Sequence, residues 1–260
     1  MRKLEFETGR TLFRCDVPET WEELSVEQFM AITALDAGTI DGRTFYARYF
    51  GIRPEVVDRL DFYLLYVLNS LVEKVSAPQS GTVPNPFRGM RRFLVPSYRL
   101  GNGVVVVSPS ECLSGMSFQQ FMTVDTFYTW YVQTEERRFL VSMCCCLYLK
   151  EDEDFFSLNP AARQQLWEAA DVAVLRSVLV QWSFIKRWLS GSYPFLFPAG
   201  ERQDTKRGGK KVVSNAWLEI FDVLVQDDLT RIDSYKHLDC MDVVRILNRR
   251  LKNERMKTRK

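Results

Sequence analysis

Ser25-Val26-Glu27-Gln28-Phe29-Met30 returns further along the chain as Ser117-Phe118-Gln119-Gln120-Phe121-Met122, and both copies read as the first turn of a helix. Each places a hydroxyl at the N-cap and a glutamine at the third helical position. These are the two halves of a capping box, in which each side chain satisfies a backbone N–H that the helix leaves free. An apolar pair, Leu24 with Phe29 or Met116 with Phe121, stands where a hydrophobic staple closes over the cap. The residues that follow diverge, Ala31-Ile32-Thr33-Ala34 against Thr123-Val124-Asp125-Thr126. The echo therefore marks the starts of two helical halves and not an internal duplication.

Ahead of the first copy, Leu4, Phe6, Leu12 and Phe13 flank a Thr8-Gly9-Arg10 turn signal and Pro18 closes the segment, which predicts short strands or extended chain. From Val26 a helix is expected to about Asp36. A shorter one over Arg43 to Phe50 stops at Gly51, the usual residue past a helix end. Pro54 then opens a helix in which Val56, Val57, Leu60, Tyr63, Leu64, Val67, Leu68, Leu71 and Val72 keep the 3.6-residue spacing of a core-packed face. Between the copies, prolines 78, 84, 86, 96 and 109 break any long helix, and Phe93 to Leu100 with Val104 to Ser108 predicts a β-hairpin around Gly101-Asn102-Gly103.

After the second copy the chain reads as aromatic-rich helices. One starts at Ser117, one follows Glu135-Glu136 to near Lys150, one runs from Asn159-Pro160 towards Ala170, and one reaches Leu189. Tyr193-Pro194-Phe195-Leu196-Phe197-Pro198 reads as an extended strap, and the polar, glycine-bearing stretch 199–214 as a linker. Beyond it, Trp217, Ile220, Phe221 and Leu224 fit one helical face. Leu229 and Ile232 fall in a connection, and Met241, Val244, Leu247 and Leu251 suit a second helix. The expected fold class is mainly α: a multi-helix body with a small β-hairpin insert at about residues 93–108 and a C-terminal helical pair. The expected segments are 1–76, 77–116, 117–198, 199–214 and 215–260.

With 260 residues, 46% hydrophobic and 26% charged, the chain can bury a substantial core, and its net charge of +2 gives no whole-molecule attraction to a polyanion. Its longest apolar run, Phe139 to Leu149, holds 11 residues with Ser142 inside, against the roughly 20 a bilayer span requires. The start, Met1-Arg2-Lys3-Leu4-Glu5-Phe6-Glu7, lacks the apolar core of a signal peptide. The expectation is a soluble cytoplasmic protein with no membrane partner. Six cysteines occur without a C-x-x-C pair, and Cys144-Cys145-Cys146 point in diverging directions on a helix, so they read as buried thiols in a reducing compartment.

The inventory for chemistry is thin. His237 is the one histidine, and Tyr235-Lys236-His237-Leu238-Asp239 gives it no evident base, nucleophile or metal partner. Phosphate-loop, dinucleotide, nucleophile-elbow and H-E-x-x-H motifs are missing, and the acidic run Glu151-Asp152-Glu153-Asp154 does not continue with calcium-loop spacing. No enzyme activity, cofactor or metal is expected. What remains is surface. Trp130, Tyr131, Trp182, Trp188 and Trp217 are candidate partner-binding residues on the aromatic helices. Arg88, Arg91 and Arg92, interleaved with Phe87, Phe93 and Tyr98, and Lys206, Arg207, Lys210 and Lys211 in the linker are candidate nucleic-acid contacts. The tail from Arg249 to Lys260 adds seven basic residues against Glu254, a net +6.

Three separated segments carry a resemblance: Val17-Pro18-Glu19-Thr20-Trp21-Glu22-Glu23-Leu24-Ser25-Val26-Glu27-Gln28-Phe29, then Met116-Ser117-Phe118-Gln119-Gln120-Phe121-Met122, then Phe139 to Tyr148. With the Trp217 to Leu251 helices, these are similar to a group of bacteriophage and prophage proteins encoded among tail genes. Cys144-Cys145-Cys146 departs from the aliphatic residues expected there. The resemblance implies a non-enzymatic role in tail assembly, as a chaperone-like protein that shields a tape-measure protein. It also implies location in the host cytoplasm or association with the virion. The alternative from a different class is a nucleic-acid-binding accessory protein that uses the basic linker and tail.

Overall fold

A computed structural model describes residues 2–8, 11–76, 89–198, 217, 220, 221, 225 and 232–257. Expectations for 77–88 and for the linker 199–214 lie outside the described residues. The chain divides into two units, Met1–Arg88 with Asp171–Val180, and Gly89–Ala170 with Gln181–Lys260.

The first unit opens with a hairpin. β1 (Arg2–Thr8) and β2 (Thr11–Val17) are antiparallel, with Leu4 opposite Cys15 and Phe6 opposite Phe13. The Phe6 and Phe13 rings stack at 5.5 Å. Helices α1 (Val26–Asp36) and α2 (Gly42–Phe50) pack together behind it. The capping box expected at the first copy is complete: Ser25 Oγ accepts from Gln28 N at 3.1 Å, and Gln28 Oε1 accepts from Ser25 N at 3.0 Å. The same glutamine does more than cap. Its Nε2 donates to the carbonyls of Asp16 and Tyr49, so one buried side chain ties the end of β2, the start of α1 and the end of α2. Asp41 caps α2, and Gly51 ends it at φ +65°, a left-handed conformation that a glycine adopts without a Cβ clash.

The single helix expected from Pro54 is two. α3 (Pro54–Val57) is one turn, and α4 (Phe62–Ser76) restarts where Asp61 Oδ1 accepts from Leu64 N at 2.7 Å. A side chain that caps the backbone halts the first helix and begins the second on a new axis. Leu68, Val72 and Val75 of α4 are buried, whereas Tyr63, expected on the core face, is exposed.

In the second unit the expected hairpin forms, though shorter, from β3 (Ser97–Arg99) and β4 (Val105–Val107), with Tyr98 opposite Val106. Val107 also bridges to Leu149. This bridge is why α6 (Arg137–Leu147) stops short of Lys150: the chain turns extended at Tyr148 to join the strand. Before it, α5 (Phe118–Thr134) ends at Glu135 in a left-handed conformation, φ +56°. α7 (Pro160–Glu168) is capped by Asn159, as its Asn-Pro start predicts, and α8 (Val172–Ser192) follows. The residues of α8 through Val180 belong to the first unit and those from Gln181 to the second.

The second copy of the capping motif is only half a box. Ser117 Oγ accepts from Gln120 N, but Gln120 Nε2 turns away to donate to Cys146 O at 2.8 Å. The outer edge of this helix start is instead held by the C-terminal segment: Phe118 N donates to Leu238 O, Cys240 N donates to Met116 O, and Gly115 N donates to Asp239 Oδ2. Asp239 Oδ1 meanwhile accepts from Met241 N at the start of the last helix. That helix, α10 (Cys240–Lys257), follows α9 (Ile232–His237), which begins at a residue expected in a connection. The strap at 193–198 is a turn and not extended chain. Leu196 N and Phe197 N both donate to Tyr193 O, and Asn248 Oδ1 of α10 accepts from Phe195 N and Leu196 N.

Gln181, Tyr98 and Tyr148 form one buried hydrogen-bonded group in this unit. Gln181 Oε1 accepts from Val95 N at 2.7 Å, its Nε2 donates to Tyr98 Oη, and Tyr148 Oη donates to Val95 O. Cys144, Cys145 and Cys146 are all buried, as expected of small apolar side chains in this run, and free. Burial pushes the Cys145 and Cys146 thiols up to about 12 and holds that of Cys144 well above its ordinary value.

Candidate partner-binding surfaces

The tryptophans singled out in the sequence fall into different environments. Trp182 is fully buried in α8, and Trp188 lies against Gly89, so neither presents a face to a partner as folded. Trp130 and Tyr131 are half-buried on α5. The Trp130 ring meets Phe127 at 5.6 Å and Phe139 at 5.2 Å, with the Arg138 guanidinium over Phe139. Trp217, half-buried and helical, is enclosed by Phe118, Phe121 and Phe197 at 5.2 to 6.0 Å.

Trp182 and Trp217 meet at a residue that was not singled out. Asp125, buried on α5, accepts from the Trp217 indole N–H at 2.8 Å, more weakly from that of Trp182 at 3.4 Å, and from Lys186 Nζ at 2.7 Å. A buried carboxylate needs such donors to offset its desolvation. The effect is to fasten Trp217 to α5 and α8. The sequence held one signal for this cluster, a lone aspartate in the aromatic run 118–131.

The basic candidates divide as well. Arg91 and Arg92 are exposed, but the interleaved Phe93 and Tyr98 are buried, so no stacking platform forms beside them. Arg88, Lys206, Arg207, Lys210 and Lys211 lie outside the described residues.

An unforeseen surface lies on α4. Phe62, Tyr63 and Tyr66 are 86%, 74% and 65% exposed, on the side of the helix away from buried Leu68 and Val72. At i, i+1 and i+4 the three rings share one patch of helix surface. Its polar border is ordered: Tyr46 Oη donates to Asn69 Oδ1, and Asn69 Nδ2 donates to Glu73 Oε1 at 2.7 Å. Burial, with the Glu73 charge, raises the Tyr46 hydroxyl. Periodicity alone hid this patch, because aromatic residues next to a core stripe extend the apolar pattern whether or not anything covers them.

Among the described residues no group of three or more histidine, cysteine or acidic side chains is placed to hold a metal ion. His237 ends α9, exposed, with Nδ1 at 2.7 Å from Asp233 O and its ring stacked on Phe156 at 3.8 Å. No described helix is long and apolar enough to cross a membrane. No protein-family model matches the chain, and no curated protein and no solved structure matches it either.

Proposed function

We propose that this protein is a non-enzymatic assembly factor that binds a structural protein partner through the aromatic face of α4. The observation that carries the reading is the exposure of Phe62, Tyr63 and Tyr66 together on one helix. The largest apolar patch on a monomeric protein, typically about 300–600 Å², is often a functional surface. Covering three such rings would remove about 300–500 Å² from water, roughly 8–12 kcal/mol before the cost of association. That association cost is about 4–15 kcal/mol, so the patch is an anchor that needs only modest further contact. A partner helix laid against it, with polar residues facing Asn69 and Glu73, is the mode such a surface suits.

The resemblance to tail-gene proteins supports a partner of the same origin, a phage tail component such as the tape-measure protein, met in the host cytoplasm and carried or released at the virion. Co-expression with the tail proteins encoded beside it, followed by pull-down, tests this. Retention of a long helical partner is the expected result. A monodisperse protein that retains none of them, or genomic neighbours that are all metabolic genes, would remove the reading.

A further inference from the structure

We infer that the solvent face of α10 is a docking surface for the phosphate backbone of duplex DNA, independent of the α4 patch. At about 100° per residue, Arg245, Arg249, Lys252 and Met256 fall on one stripe of the helix, and all four are exposed. Arg245 is tied to Asp242. Among the described residues neither Arg249 nor Lys252 forms an ion pair, and Glu254 sits two residues from Lys252, about 200° round the helix. Arg255 lies beside the stripe, so beyond the Arg245–Asp242 pair the charge along it is positive.

This arrangement comes from the fold and not from composition. Val243, Val244 and Leu247 turn the apolar side of α10 inward, and Asn248 pins the 193–198 turn against it. Lys252 and Arg255 then lie about Phe195, at 6.0 and 5.9 Å from its centroid, which holds their heads at the surface. Charge complementarity selects the partner. From Arg245 to Lys252 the helix rises about 10.5 Å, a span that meets roughly three phosphates per strand of a duplex. An anionic membrane fits less well, because an interfacial helix must insert an apolar face, and that face is occupied by the protein's own core.

Fluorescence anisotropy with a labelled 30-base-pair duplex tests the assignment in the full chain. At about 50 mM salt the wild type should bind, with affinity falling steeply as salt rises. Arg249→Glu with Lys252→Glu should weaken binding at least tenfold and flatten the log–log salt slope by about 2. Both positions are exposed, and an unchanged urea midpoint checks that the variant folds. Three results would overturn the assignment: no wild-type binding at low salt, a variant that binds like wild type, or equal binding to phosphatidylglycerol vesicles abolished by the same substitutions. Substituting Lys206, Arg207, Lys210 and Lys211 with glutamine should leave the part lost in the double variant intact.

Discussion

At the residue scale, Gly89, Asp125 and the buried cysteines carry more of the fold than their types announce. Gly89 has φ +77°, and a Cβ there would stand 2.2 Å from Trp188 N and 2.6 Å from Trp188 Cα. Those are backbone atoms of α8, so nothing flexible can give way. Gly89→Ala should therefore cost more than about 2 kcal/mol, read from urea denaturation. Asp125→Asn removes the charge facing Lys186 and weakens two indole hydrogen bonds. With Lys186 a quarter exposed, the expected loss is about 2 kcal/mol, with a shift in tryptophan emission. The buried thiols give a pH signature. Cys144, Cys145, Cys146 and Cys240 all have raised folded values. The folded state keeps protons that the unfolded chain releases from about pH 8.5. Their contribution is full below that pH and is lost as pH rises towards 12. Denaturation midpoints should fall between pH 8.5 and 10.5; a flat profile would contradict the burial.

At the element scale, what the sequence made legible was local chemistry, and what it hid was long-range. Ser25 and Ser117 cap as read, because an N-cap needs only a hydroxyl and the backbone two or three residues on. Gln28 completes its box, but Gln120 does not, since Cys146 O offers a buried acceptor that must be satisfied and lies 26 residues away. Ser25→Ala should then cost more than Ser117→Ala. Each loses a cap worth about 1 kcal/mol, but at the second site the Leu238 carbonyl still holds the first free N–H of the helix. Thermal melts of the two variants decide it. The break between α3 and α4 was missed because Asp61 interrupts no hydrophobic period. The 193–198 segment reads locally as an extended strap, but Asn248, 52 residues beyond Leu196, sets its geometry as a turn.

At the scale of the whole molecule, the mainly helical class with a β-hairpin followed from patterning, because helical and strand periods are written in adjacent residues. The candidate surfaces did not follow so readily. Trp182 and Trp188 have the residue type of a partner surface yet are buried, while Tyr63 keeps the core spacing yet faces water together with Phe62 and Tyr66. Sequence gives the period of a face but not whether a neighbour covers it. The proposal of a partner-binding protein therefore rests on exposure that no pattern could supply. The most direct measurement is co-purification of the proteins encoded beside it with wild type and with Phe62→Ser, Tyr63→Ser and Tyr66→Ser combined, a change at exposed positions that should leave the melting temperature within a few degrees. The account predicts at least a tenfold loss of retained partner. Equal retention by wild type and triple variant would contradict it.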